Sequence, residues 1–401
     1  MSQKRILFLG AAYAQIPIIE EARRRNWHLI TCDYLPDNPG HKLADEYYNV
    51  STTDYEGVLE LAKKVTPDYV VAYASDPAAP VAAYVSEKLG LPGNSFQSVQ
   101  LLSEKDLFRS FLEENGFNTP RSTSINQGEN IFEKTKTLTF PFIIKPVDSS
   151  GSKGVGKVTK ESNLLKAADY AFSFSRNKRI IAEEFIESAG PQLHGDGFVI
   201  DGELVFSCLG DHHYNENINP FVPYATTWPS IENDRVIDRV EMELKKMIRL
   251  SGYQNGPVNI EVRITDTGDI YIMEIGPRSG GNFVPQVIHH ASGFDMVKAL
   301  LDQHEGKHID IPEQNIIKPM AYYAIHSEKE GILSELEIEK SLIPFVKELH
   351  QYIKPGGKVK AFHGANAAIG VIILLFESLQ EMKYNVDNIS SYIRLKIKEL
   401  S

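Results

Sequence analysis

Cysteine is nearly absent from this sequence: two residues in 401, Cys32 and Cys208, neither part of a C-x-x-C pair. That argues against a disulfide framework and leaves buried free thiols in a reducing compartment. Positive charge is also short, with 42 Lys and Arg against 53 Asp and Glu and a formal net charge of −11. A nucleic-acid binder would normally present a basic face, so that class is set aside. Anionic substrates are not, because a site needs only local positive charge. Long apolar runs are missing too. Past the N-terminus the longest is Gly370 to Phe376, far below the roughly 18 residues that span a bilayer. Lys4-Arg5, then ILFLGAA and Ala12-Tyr13-Ala14, imitates a small signal peptide. Its cleavage point would fall earlier than the usual ~15–30 residues, and a first strand ending in a glycine loop explains the same residues. A cytoplasmic protein is expected, with no membrane partner. Gly10 stands alone where a dinucleotide fingerprint needs G-x-G-x-x-G, so NAD binding is not supported. There is no internal repeat and no low-complexity segment.

What is present is an ordinary globular composition, 42% apolar and 24% charged, long enough for two or three domains. Arg5 to Leu9, His28 to Asp33 and Tyr69 to Tyr73 read as strands. Ile16 to Arg25, Asp54 to Val65 and Val81 to Leu89 read as helices, the last closed by Gly90. This alternation predicts a parallel, doubly wound sheet. Ser103 to Glu114 predicts a helix with Ser103 as N-cap and Gly116 at its end. It places Lys105 and Arg109 on one face, either a solvated basic face or part of a site. Phe140 to Pro146 is an apolar strand carrying Lys145, and a lysine there calls for an anionic partner.

Gly151 to Lys157 nearly matches a P-loop, but Val158 stands where Ser or Thr is needed, and Val155 to Thr159 looks like a strand. A β-hairpin tip whose backbone N–H groups close on a phosphate chain fits better; a purely structural hairpin is the alternative. Ile180 to Ile186 is a strand ending in acids. Leu193 to Ile200 and Glu203 to Leu209 form a hairpin about Asp201-Gly202. Asp211 to Ser230, rich in Asn, Pro, His and aromatics, reads as a long irregular loop, with Tyr214, Phe221 and Trp228 as candidate pocket walls. The pairs His212-His213 and His289-His290 lack metal-ligand spacing. Val236 to Leu250 is an amphipathic helix. Past about Asp310, short strands (Met320 to Ile325, Val359 to Phe362, Gly370 to Phe376) precede a final helix with Leu379, Met382, Val386, Ile389 and Ile393 on one stripe. This reads as a small lid or docking domain.

The most informative stretch is Val258 to Gly281, VNIEVRITDTGDIYIMEIGPRSGG. Two strands flank Asp266-Thr267-Gly268-Asp269, and a two-residue loop at Thr267-Gly268 sets Glu261 opposite Glu274. Carboxylates so placed repel unless a cation lies between them, and Mg²⁺ commonly takes one or two carboxylates. A solvated hairpin with two surface glutamates is the alternative. Gly276 to Gly281 then presents Arg278, a side chain suited to holding phosphate or carboxylate.

In order, the helix opening Ser103-Glu104-Lys105-Asp106, FIIKP, SSGSKGVG, EEFI and NIEVR…YIMEIGPRSGG resemble the ATP-grasp family over nearly the whole chain, most like the carboxylate–amine ligases that condense amino acids. The resemblance implies an α/β and α+β architecture. A doubly wound pre-ATP-grasp domain would occupy 1–95, a two-lobed ATP-grasp domain 96–309 with a subdomain at about 125–186, and a small C-terminal α+β domain 310–401. It implies that Lys105 and Lys145 hold ATP phosphates under a loop containing Ser149, Ser150, Gly151, Ser152, Gly154 and Val155. It places adenine against Glu183, Glu184, Phe185 and Ile186, ribose at Gln192, and Mg²⁺ (or Mn²⁺) on Glu261 and Glu274. Arg278 would be the catalytic residue, holding the transferred phosphate or an acyl phosphate. Two departures stand out. Gly276 replaces the usual Asn, with Asn259 opposite it as a substitute metal ligand, and Gln192 replaces the usual ribose-binding Glu. The implied function is an ATP-dependent carbon–nitrogen ligase acting through an acyl phosphate on small carboxylate and amine substrates, with a homodimer as the expected assembly. The alternatives are a purine-pathway ligase or carboxylase on an amino-ribosyl phosphate, and a nucleotide-binding sensor with weak turnover.

Overall fold

The computed structural model describes residues 3–215, 219–312, 317–362, 364 and 367–399. The N-terminal sheet is parallel, ordered Glu46–Tyr48, His28–Cys32, Arg5–Leu9, Tyr69–Val71. Period-2 alternation along RILFL explains its two layers. Leu7 and Leu9 pack with the helices Tyr55–Val65 and Ala79–Leu89, whereas Ile6 and Phe8 pack with Ile16–Arg24 and Met296–His304. Cys32 and Cys208 are free and buried.

A small antiparallel sheet follows, ordered Ser122–Asn126, Arg179–Glu184, Phe142–Pro146, Gly156–Val158, covered by the helix Leu164–Phe174. The rest of the chain forms an antiparallel sheet of eight strands and a three-stranded sheet of Lys358–Val359, Gly331–Ile338 and Ile393–Lys398; the larger one carries the site. Its order is Ile270–Gly276, Gly256–Ile264, Leu193–Ile200, Glu203–Asn215, Asn219–Trp228, Met320–Ile325, Gly370–Leu375, Val346–Gln351. Strands before and after residue 310 are therefore hydrogen-bonded neighbours, as where Ala225 pairs with Tyr323. Among the described residues no helix is long and apolar enough to cross a membrane.

Three sequence expectations are corrected. The segment Asp211 to Ser230 is not an irregular loop: its described residues form adjacent strands, with Asp211 opposite Thr227, and 216–218 lie outside the described residues. The ladder accommodates Pro220 and Pro223 because its register shifts on either side of Tyr214. The final helix is not continuous. Leu379–Asp387 ends at Asn388, a short turn Ile389–Tyr392 follows, and Ile393–Lys398 is a strand, with Leu379 exposed. Ser103 does not cap the helix Lys105–Glu114; it ends the preceding helix Phe96–Ser103, and Glu104 occupies the cap position.

Candidate active site

The two metal-candidate glutamates meet as the sequence predicts, by a different route. Ile264 pairs with Ile270, so the turn is one residue longer than expected, and a bulge between Glu261 and Val262 restores the register. Asn259 then faces Gly276 and Glu261 faces Glu274. One face of the central sheet continues this row: Glu261 is opposite His194, and beyond the side-chain-free Gly210 come His212, Thr226 and Tyr322. This face floors a cavity of about 250 Å³, roofed by the small sheet and by Pro220 to Pro223.

Burial first, then Glu274, pushes the Glu261 carboxyl up to about 7, against the opposing pull of Arg263, Lys145 and Arg278. A carboxylate raised by desolvation and a like charge fits a divalent cation, which would relieve both causes. Gln192 Nε2 donates to Glu261 Oε2 at 2.7 Å, and Lys105 Nζ lies 3.7 Å from Glu274 Oε2. Asn259 faces Gly276, but its amide nitrogen is committed to His194 Nε2, the Gly195 carbonyl and Asp196 Oδ1. Asp196 is itself raised to about 6 by burial.

Lys105, at the start of its helix, donates to the Ser149 carbonyl at 2.8 Å and so ties the helix to the glycine-rich loop. Ser149, Ser150, Gly151, Ser152 and Val155 line the cavity. Ser152 Oγ donates to the Phe221 carbonyl at 2.5 Å, closing the loop onto the central sheet. Gly154 plays a structural part instead: at φ +75°, an added Cβ would lie 2.7 Å from Pro146 Cγ.

Lys145 has a protein partner that the sequence did not reveal. It pairs with Glu183, whose other oxygen accepts from Arg109 Nε at 3.0 Å. Burial alone would raise the Glu183 carboxyl, but Arg109 and Lys145 hold it at about 2. Glu183, 2% exposed and still among the residues lining the cavity, is thus a buried anion shared by two cations. Glu184 pairs with Arg121. Glu184, Phe185 and Ile186 line the cavity as well. Lys157 Nζ stands 3.6 Å from the Phe185 ring centre, and the Ile186 carbonyl accepts from Arg263 Nη1 at 2.7 Å. Gln192, 6% exposed, has both amide ends engaged within the protein, by Glu261 and Arg263.

Arg278 is held by Asp76, on the loop after Tyr69–Val71, with Nε donating to Oδ1 at 2.7 Å. Gly276 permits this approach, since a Cβ there would lie 2.8 Å from Asp76 Oδ1. Of the cavity residues missed in the sequence, Asp76 lies past the carboxyl end of a parallel strand, where doubly wound sheets place ligands. Arg263 follows Glu261 by two residues on the same strand face. Either signal was legible. Of the aromatic candidates, Tyr214 and Phe221 line the cavity, whereas Trp228 is wholly buried and donates to the Cys208 carbonyl at 3.3 Å. His194 and His212 stack at 3.9 Å, and burial holds both imidazoles neutral, His194 at about 3.

A sheet edge bearing opposed carboxylates, closed over by a small sheet with a glycine-rich loop, defines an ATP-grasp site. Residues 138–286 match the ATP-grasp domain, so this part of the chain carries an ATP-grasp domain. Over 98% of both chains it is 24% identical to a formate-dependent phosphoribosylglycinamide formyltransferase of Prochlorococcus marinus (strain MIT 9515). Among solved structures, an L-amino acid ligase from Bacillus licheniformis superposes with a TM-score of 0.83, covering 100% of both chains at 19% identity. A phosphoribosylglycinamide synthetase from Anaerococcus prevotii superposes with a TM-score of 0.77, covering 99% of this chain and 100% of its own at 23% identity. These structures share its fold.

Proposed function

We propose that this ATP-grasp ligase condenses a small carboxylic acid with an amine, at the expense of ATP, through an acyl phosphate. A carboxylate oxygen of the acid attacks the γ-phosphorus, the bond to the β-phosphate oxygen breaks, and ADP leaves. The amine nitrogen then attacks the acyl carbon, phosphate departs, and the nitrogen loses a proton. Such transfer depends mostly on positioning and charge stabilisation. Lys105 and Lys145 would hold phosphate oxygens, Arg278 the developing charge, and the closed glycine-rich loop would keep water from the acyl phosphate. Mg²⁺ would be held by Glu261 and Glu274 and would neutralise charge on the phosphoryl oxygens.

The observation that carries this reading is the division of the cavity floor. Its carboxylates lie at one end, while the other part is built of His194, His212 and Tyr322, with the imidazoles neutral. A neutral floor beside one arginine suits a compact acid. A ribosyl phosphate would bring a dianion that needs cations of its own. Two of the lining cations are already paired with carboxylates, Lys145 with Glu183 and Arg278 with Asp76.

The second reading, a purine-type reaction, is favoured by the full-length match to the formyltransferase, whose name contains a phosphoribosyl compound. A panel of acids and amines, with phosphate and ADP release measured for each pair, separates the readings. Release that requires both a plain acid and an amine supports the ligase. Release only with a phosphorylated ribosyl amine supports the second reading, and release with no pair points to a sensor.

A further inference from the structure

We infer that Gln192 and Arg263 are positioning residues for the Glu261 carboxylate. They form an unbroken hydrogen-bonded chain: Arg263 Nη1 donates to the Ile186 carbonyl, Arg263 Nε to Gln192 Oε1, and Gln192 Nε2 to Glu261 Oε2, each at 2.7 Å. The amide acts as an adaptor, accepting from the guanidinium at one end and donating to the carboxylate at the other. Glutamate at position 192 would keep the first bond, lose the second, and set a third carboxylate against Glu261. The glutamine therefore has a physical reason to be there that ribose binding does not supply.

Backbone geometry supports the chain. Arg263 follows Glu261 by two residues, so both side chains leave the strand on one face. Gln192 immediately precedes the strand Leu193–Ile200, which is the other neighbour of Gly256–Ile264. Arg263 also lies 5.5 Å from the Phe185 ring centre. The segment Phe185–Ile186 is therefore linked to the carboxylate through two side chains. With one oxygen fixed by Gln192, the other Glu261 oxygen is left for a cation. Outer contacts of this kind commonly set metal affinity by 10–100-fold.

The inference rests on reading Glu261 as a metal-binding carboxylate, yet its test does not depend on the ligase reaction. Mn²⁺ binding in the presence of ADP is followed by electron paramagnetic resonance, and ADP binding in EDTA by calorimetry. Gln192→Ala and Arg263→Lys are compared with the parent. Both should weaken Mn²⁺ binding about 10–100-fold while metal-free ADP affinity stays within about twofold. The lysine variant keeps the charge but cannot span both acceptors, so its defect isolates geometry. Parent-like Mn²⁺ affinity in Arg263→Lys would overturn the inference, as would loss of metal-free ADP binding in Gln192→Ala with Mn²⁺ affinity intact. If Mn²⁺ fails to bind the parent, the metal assignment itself falls. If Mn²⁺ and ADP bind as expected but no acid–amine pair releases phosphate, only the reaction assignment falls.

Discussion

Asp76 and Arg278, 202 residues apart, form a two-pronged ion pair, Nε to Oδ1 at 2.7 Å and Nη2 to Oδ2 at 2.5 Å. It fastens the loop of the N-terminal sheet to the end of the carboxylate strand. It also orients the guanidinium, whose Nη1 donates to the Ser279 carbonyl at 2.9 Å. Asp76→Ala should lower stability by about 2 kcal/mol and reduce kcat for every substrate, while Asp76→Asn retains part of both. Denaturant melts and initial rates check this, and unchanged kcat in Asp76→Ala would remove the orienting role.

Glu261→Gln and Glu274→Gln should each cut turnover by more than about 100-fold with the fold intact. One charge of an opposed pair is removed, so melting temperature without metal should hold or rise. Turnover within a few-fold of the parent in both variants would defeat the metal assignment.

The same pair predicts a pH dependence in EDTA. Glu261, pushed up to about 7 by burial and by Glu274, keeps a proton in the folded state that the unfolded chain has released. At this group the native protein binds more protons between the unfolded value near 4.5 and about 7, so its contribution to stability falls as pH rises through that window. The buried neutral imidazoles of His194, His212 and His304 contribute with the opposite sign. Asp196, raised to about 6 by burial, adds the same sign as Glu261. Melting curves of the parent and Glu261→Gln at pH 5 and pH 7.5 should differ in slope, with the variant gaining stability relative to the parent as pH rises. An identical slope in the variant would show that Glu261 is not the group responsible.

Arg109 is 2% exposed and contacts three parts of the molecule: its own helix, Glu183 on the small sheet and the Met273 carbonyl at 2.9 Å. Arg109→Ala should destabilise by roughly 3–5 kcal/mol, because Glu183 loses one of its two cations in a buried position. Lys145→Ala should also destabilise, in addition to weakening nucleotide binding. Chemical denaturation beside calorimetric ATP titration separates the two effects.

Trp228→Ala should destabilise by about 3–5 kcal/mol without redirecting substrate choice, since the ring is core. Tyr214→Ala and His212→Ala border the neutral floor and should shift the acid or amine preference with ATP affinity nearly kept. A substrate profile that moves with Trp228 and not with Tyr214 would reverse this division.

The local parts of this molecule were legible in the sequence, and the reason is range. The Glu261–Glu274 pairing follows from a turn and two alternating strands within 24 residues, and two compensating irregularities left it intact. Partners such as Glu183 for Lys145 or Asp76 for Arg278 lie 38 and 202 residues away, where no period reaches. Composition misled at Asn219–Trp228, because prolines signal a loop unless bulges make room for them. At the C-terminus, 3-4 spacing continued past Asn388 into residues that pair as a strand, Ile393 against Ile338. Short apolar spacings do not distinguish the two.

The small sheet has one more consequence. Its entry and exit strands are partners, Ser122 opposite Glu183, with Arg121 bonded to Glu184 beside them. Both chain crossings into that lobe therefore sit side by side, as they do where one domain is spliced into another. Recombination with a relative should tolerate junctions near 121 and 185. A junction near residue 310 would mix parents across one hydrogen-bonded ladder, where Thr226 must still pair with Tyr322. Chimeras of this protein should fold or fail along that line.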